Sequence, residues 1–262
     1  MIGTDRYAYL SRLRRTAPIP KLCLAFAPML ICIGCSSVAV GLATLLVMSA
    51  ATLWLGGLRF GVLLHFFRVP LAFLALGCLT ILVEAVPAGT PMLLALPVGG
   101  SLWGISPGGL WRGLRIFAGA MGAISCMYFL ALNTPMTDLT LALEKLHVPK
   151  LFVELMELIY RFVFVLTEEM HRIRVAQDSR LGYRSMGQSF SSVGTLCSMV
   201  FLRAWRRGDR VYSALESRGY TGSLTTLSAT YTPGRGLYGL ALGVAALQIA
   251  VFYLERAVGF FP

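Results

Sequence analysis

Five long apolar stretches, one pair of amphipathic stretches and the breaks between them account for most of this chain. The apolar stretches run from about Leu22 to Ile33, Val38 to Leu55, Val69 to Val86, Leu110 to Ala131 and Leu237 to Leu254. Each is apolar nearly all round, which predicts a helix in lipid, where a helix satisfies its own backbone groups. The uncharged join Gly34-Cys35-Ser36 suits a tight turn on the outer side. Gly56, Gly57, Arg59 and Arg68 mark a return to the inner side. The third stretch stops at Pro87-Ala88-Gly89-Thr90-Pro91. From Met92 to Gly109 the breaks Pro97, Gly99-Gly100 and Pro107-Gly108-Gly109 predict an outer loop, partly embedded. Arg112 and Arg115 then open the fourth span on the outer side, where long side chains reach the interface.

The stretch from Asn133 to Gly234 differs in kind. Thr137-Asp138 predicts the cap of a short helix ending near His147. Pro149 opens a long helix, on which Leu151, Leu155, Leu158, Phe162, Leu166, Met170 and Ile173 make one face. Glu157 with Arg161 and Glu168 with Arg172 are i,i+4 pairs on other faces. A second amphipathic helix is expected over Ser192 to Arg218. Its Arg203, Arg207 and Arg210 form a basic stripe, apart from Val200, Val211 and Leu215. The fold class is therefore all-α: a polytopic membrane protein of about five transmembrane helices with a block of amphipathic helices. The expected division is 1–132 for four spans, 133–234 for the block and 235–262 for the last span.

Composition agrees. Hydrophobic residues make up 56% of the 262 and charged ones 13%, about half the density of a soluble domain. The net charge of +11 alone suggests nucleic acid. Its distribution does not. Twelve of the 23 Lys and Arg lie between Asn133 and Gly234 with nine of the 12 acids, and five more precede Leu22. That pattern puts the block and the N-terminus on the cytoplasmic side, and the acids dilute any nucleic-acid surface.

The N-terminus imitates a signal peptide, with Arg12, Arg14 and Arg15 before an apolar run. Because the apolar sequence continues through Leu55, it reads as an uncleaved first span. Cys32-x-x-Cys35 lies inside that span and reads as apolar filling. His65, His147 and His171 have no partners at ligand spacing. Glu84 is the one acid in an expected span, close to its outer edge, where a hydrated carboxylate is the expectation over a pathway role. A Gly-x-x-x-x-Gly-Lys-Ser/Thr phosphate cradle does not occur, so any ATP is hydrolysed on another chain.

Two short sequences match each other. Ser179-Arg180-Leu181-Gly182-Tyr183 and Ser217-Arg218-Gly219-Tyr220 each end a long amphipathic helix. A glycine there stops a helix by reaching left-handed angles, and an arginine suits the helix dipole. Two such endings also offer a paired plug, in which each guanidinium fork grips carboxylates or carbonyls of a two-lobed partner.

From Leu110 to Gly222 the chain resembles the transmembrane coupling component of energy-coupling factor importers, of the cobalt-transport CbiQ type. Leu130-Ala131-Leu132-Asn133-Thr134-Pro135, Leu146-His147-Val148-Pro149-Lys150 and Glu154 to Leu166 carry the resemblance. So do Arg210-Val211-Tyr212 and the two arginine-glycine endings. The family signature is Ala-Arg-Gly. Here Ser stands first in both copies, and Leu181 separates Arg180 from Gly182.

The resemblance implies a machine of several chains. A dimeric ABC-type ATPase of CbiO kind would hold Ser179, Arg180 and Gly182 in one groove and Ser217, Arg218 and Gly219 in another. Arg203, Arg207 and Arg210 would support the docking, and Pro135 and Pro149 would act as helix hinges. A membrane capture subunit of CbiM kind, with a small accessory subunit of CbiN kind, would carry the metal. No cofactor is expected in this chain itself. ATP and magnesium would sit on the ATPase, and cobalt, or next nickel, on the capture subunit. The alternative from the residues is a self-sufficient secondary transporter, for which only Glu84 offers an intramembrane polar group.

Overall fold

A computed structural model describes residues 3–86, 94–98, 101–105, 107–220 and 231–258. The turn expected at Pro87-Ala88-Gly89-Thr90-Pro91, the Gly99-Gly100 break and Gly222 lie outside these residues. The chain divides into a membrane unit, Ile2–Asp138 with Thr230–Pro262, and a second unit, Leu139–Ala229.

The membrane unit holds α1 (Gly3–Leu10), α2 (Pro18–Cys35), α3 (Val38–Trp54), α4 (Phe60–Leu82), α5 (Pro107–Asn133) and, late in the chain, α9 (Arg235–Val258). Four of these, α2, α4, α5 and α9, are long and apolar enough to cross a membrane, and α3 is a fifth apolar helix of 17 residues. α2 starts ahead of the expected Leu22 because Pro18 sits in its first turn, where a missing N–H costs nothing. α4 starts well before Val69, carrying His65 and Arg68 on the helix. It ends at Leu82, and Val83–Val86 leaves as strand β1. With β2 (Leu94–Val98) and β3 (Ser101–Ile105) it forms an antiparallel sheet of order β1-β3-β2. Glu84 lies opposite Gly104, and Leu96 opposite Trp103. The sequence predicts that the third span runs on to Val86 and that Met92 to Gly109 forms an outer loop, partly embedded. A sheet is the structure's answer because Pro and Gly exclude a helix while an apolar backbone still needs hydrogen bonds.

Helix α5 is the centre of this unit and packs on α1, α2, α3 and α4; α9 packs on α2 and α3. Glycine makes the α3–α5 contact close. A Cβ on Gly41 would lie 2.5 Å from the Ala118 carbonyl carbon and 2.6 Å from its oxygen. Such backbone approach is what small residues allow between membrane helices. Leu63, Phe67, Met121 and Leu132 form the core between α4 and α5. Pro70 inside α4 cannot donate to the Phe66 carbonyl, and the Tyr128 hydroxyl of α5 donates to it instead, at 3.0 Å. On α9, Gln248 donates to Thr44 Oγ1 at 2.6 Å and to the Pro28 carbonyl at 3.0 Å, tying three helices.

The two ends of the bundle differ. One gathers the α2–α3 turn and Glu255, which accepts from Ser37. The other gathers Ser11, Lys21, Gly56, Asn133 and Tyr231. There Arg12 N–H donates to the Gly56 carbonyl. Thr16 and Thr232 form a parallel bridge. Lys21, fully buried, faces Asp138 at 3.8 Å and donates to the Asn133 carbonyl at 3.5 Å. The Tyr231 hydroxyl donates to Asp138 Oδ1 at 3.0 Å, and Ser11 Oγ to Asn133 Oδ1 at 2.7 Å. Burial raises the Asp138 carboxyl above its ordinary range, and the Tyr231 hydroxyl and the Lys21 charge pull it partly back. Desolvation and then the Asp138 carboxylate push Tyr231 up to about 12. A tyrosine whose folded value exceeds its unfolded one stabilises fully below pH ~10 and loses that contribution as pH rises toward the folded value. Alkaline titration of the wild type minus Tyr231→Phe should therefore show one phenol ionising near 12. A difference spectrum rising near 10 would contradict the buried bond.

Candidate functional site

The second unit is built around α7 (Lys150–Asp178) and α8 (Met186–Glu216), preceded by α6 (Met136–Lys145), which begins in the membrane unit. Pro149 stands immediately before α7, its carbonyl accepting from Phe152 N–H. Pro135 stands before α6 and accepts from Asp138 N–H. α8 begins at Met186, ahead of the expected Ser192, because Ser185 caps it through a bond from Gln188 N–H.

α7 and α8 run antiparallel. Gln177 Nε2 donates to the Ser192 carbonyl at 2.9 Å, Arg203 pairs with Glu169, and the Arg207 guanidinium lies 5.8 Å over the Phe162 ring. At the far end, Tyr220 OH donates to Glu154 at 3.3 Å. Opposite partners thus follow one another along both helices.

Both candidate tips are helix endings of one design. After α7, Leu181 N–H donates to the Asp178 carbonyl and Gly182 N–H to the Gln177 carbonyl. After α8, Gly219 N–H donates to Glu216 and Tyr220 N–H to Leu215. These are the two bonds of a Schellman closure. Each serine turns its hydroxyl back onto its own helix, Ser179 to the Val175 carbonyl and Ser217 to the Ser213 carbonyl. A serine with its hydroxyl satisfied in this way presents little more than an alanine, so the departure from Ala-Arg-Gly changes the surface slightly. Arg180 and Arg218 follow directly, both exposed.

The two glycines do different jobs, which corrects one expectation. Gly219 takes the left-handed angle, φ 74. In the first tip that angle falls on Leu181, φ 59, and not on Gly182. Leu181 is therefore no insertion; it occupies the place of Gly219. Gly182 is small because a Cβ there would sit 2.8 Å from Ser192 Oγ and 2.9 Å from the Gln177 carbonyl. A left-handed leucine costs about 1–2 kcal/mol, and Leu181 is exposed. Leu181→Gly should raise the stability of this turn by about 1 kcal/mol, read as slower amide exchange at Gly182. Unchanged or faster exchange would speak against the strained turn. His147, φ 62, closes α6 with the same two bonds but with no arginine beside it.

The structure does not bring the two tips together. Arg180 lies at the hairpin turn and Arg218 at the opposite end of α8. The 31 residues of α8 separate them by about 46 Å at 1.5 Å per residue. Arg203, Arg207 and Arg210 are brought together, in a cleft of about 190 Å³ with Arg206, Val165, Leu166 and Glu169. Arg207 Nε is buried there with no hydrogen-bond partner among the described residues. Nothing in the sequence marks Arg206 and Glu169, because their place in the cleft depends on which face of α8 meets α7. Nor does the sequence mark Lys21, which beside Arg14 and Arg15 reads as one more flanking charge.

The cobalt transport protein family CbiQ matches residues 11–227. The cobalt transport protein CbiQ of Salmonella typhimurium is 29% identical over 222 residues, 85% of this chain and 98% of that protein. A fused cobalt transport protein CbiMQ of Methanocorpusculum labreanum, itself described as putative, is 31% identical over 156 residues, 60% of this chain and 26% of its own. The energy-coupling factor transporter transmembrane protein EcfT of Lacticaseibacillus paracasei is 30% identical over 193 residues, 68% of this chain and 71% of that protein.

Proposed function

This chain belongs to the CbiQ family of cobalt transport proteins, and from that premise we propose that it is the transmembrane energy-coupling subunit of an ATP-driven importer for a transition-metal ion. Cobalt is the first choice of cargo and nickel the second. The observation that carries the reading is the pair of identically closed helix ends, each showing one exposed arginine, held one helix length apart. Two such ends suit the two grooves of a dimeric ATPase.

In this reading the chain catalyses nothing and holds no cofactor. ATP and magnesium belong to a CbiO-like ATPase dimer. The metal belongs to a CbiM-like capture subunit with its small CbiN-like companion. The fused CbiMQ relative, which joins two such parts in one polypeptide, supports that partnership. The N-terminus and the Leu139–Ala229 block lie in the cytoplasm, and the spans lie in the plasma membrane.

Coupling requires contacts that differ between the nucleotide states. When the ATPase dimer closes, the distance between its grooves changes, while a hairpin of fixed length must turn to keep both tips seated. The cleft arginines Arg203, Arg206, Arg207 and Arg210 extend positive charge along α8 toward the second tip. The exposed apolar side chains Phe201, Trp205 and Tyr212 on α8 supply a surface for the capture subunit. Vesicles containing all the subunits should accumulate cobalt only with ATP inside reach of the ATPase. Uptake by this chain alone, without an ATPase, would instead establish a secondary transporter.

A further inference from the structure

We propose that Lys21, Asp138 and Tyr231 are positioning residues that lock the two chain passages leading to and from the Leu139–Ala229 block into a single moving piece. The proposal rests on the energy-coupling reading above. The membrane unit gives way to the block after Asp138 and resumes at Thr230. The residues that hold these two passages hold each other. Asp138, at the exit, accepts from Tyr231, just after the return, at 3.0 Å, and faces Lys21 of α2 at 3.8 Å. Lys21 also reaches the carbonyl of Asn133, the last residue of α5. The returning passage is fixed a second time next door, where Ala17 N–H donates to the Thr232 carbonyl and Thr232 N–H to the Arg15 carbonyl.

The chemistry suits a lock better than it suits stability. A fully buried lysine and a carboxylate at 7% exposure are expensive to desolvate, and apolar residues of the same size usually serve a core at least as well. What charge and hydrogen bonding add is direction. An apolar contact tolerates sliding, since burial is non-directional. The phenol bond to Asp138 Oδ1 sets that direction, and the ammonium 3.8 Å from Oδ2 adds attraction without a hydrogen bond to that oxygen. A shift of the exit passage must then carry the return passage and the heads of α2 and α9 with it. With this contact loosened, a turning block would bend its own connections and leave the spans where they were.

The test uses the complete importer in vesicles, measuring three quantities on each sample: ATPase bound, ATP hydrolysed and cobalt accumulated. One variant carries Lys21→Met, Asp138→Leu and Tyr231→Phe together, which leaves no buried charge unpaired. The other carries Tyr231→Phe alone. Both are expected to retain the ATPase and its hydrolysis. Cobalt moved per ATP should fall at least tenfold in the triple variant and severalfold in the single one. A residue set that serves only folding would lower the amount of complex and leave that ratio unchanged, which would overturn the proposal. If the triple variant does not assemble, the ratio in Tyr231→Phe decides by itself. If the wild type binds no ATPase, the energy-coupling reading falls, and this inference with it.

Discussion

Reversal of both tip charges, Arg180→Glu with Arg218→Glu, is expected to abolish co-purification of the ATPase with this chain in detergent. Each arginine is exposed at the end of a helix, so in the free protein it has solvent around it and nothing to lose. In a groove on a partner its guanidinium would be desolvated against carboxylates or carbonyls. Losing one such buried pair costs about 2–5 kcal/mol, and like charge adds repulsion. Two losses together come to about a thousandfold or more in affinity at ~1.4 kcal/mol per factor of ten. Each single reversal should weaken association and still leave one tip seated, because the tips sit at opposite ends of α8. The fold should be indifferent, since neither side chain packs in the unit's interior. Retention of the ATPase by the doubly reversed protein would reject the docking role of these ends.

The second large effect belongs to the membrane unit. Gly41→Ala should markedly lower the melting temperature in detergent, and Gly119→Ala should not. Both glycines stand at the α3–α5 contact. The added methyl at Gly41 would meet backbone at 2.5 Å, which cannot rotate away, whereas at Gly119 it meets nothing within 4 Å among the described residues. In an ordinary helix position the change from Gly to Ala gains about 1 kcal/mol. At Gly41 that gain is overwhelmed by separation of the helices, an overpacking cost of about 3 kcal/mol or more. Equal melting of the two variants would show that the helices are not as close as described. Substituting the pair therefore tests packing with the propensity effect held the same.

Much of the fold was legible because lipid leaves a chain few choices. Five apolar stretches became five apolar helices, since a segment without water must bond its own backbone. Their boundaries moved for local reasons, Pro18 at the head of α2 and the helical His65 and Arg68 in α4. After Leu82 the sequence predicts the end of a span and an outer loop, and the structure has a three-stranded sheet. Proline and glycine announce a break in a helix but say nothing about pairing, and β3 lies between partners on both sides in a register that only three dimensions supply. α1 has no sequence signal of its own, because eight residues carry too little periodicity.

The candidate tips show the same division in miniature. The repeated Ser-Arg was plain in the sequence. Aligning the glycines by letter suggested an extra leucine, while the backbone aligns Leu181 with Gly219 by their left-handed angles. Letters record which residue is present, and a closure bond records which position it fills.

Sequence alone determined that the chain belongs in a membrane, that its charges gather in one block and that two helices end in matching arginines. Those properties are set by solvent, composition and local backbone preference, which act on neighbours. Only the tertiary structure decided that Gln177 meets Ser192 across the hairpin, that Arg206 joins the cleft, and that Lys21 finds Asp138 across more than a hundred residues. Such pairings depend on which helix faces meet, and nothing short of packing the whole chain fixes that.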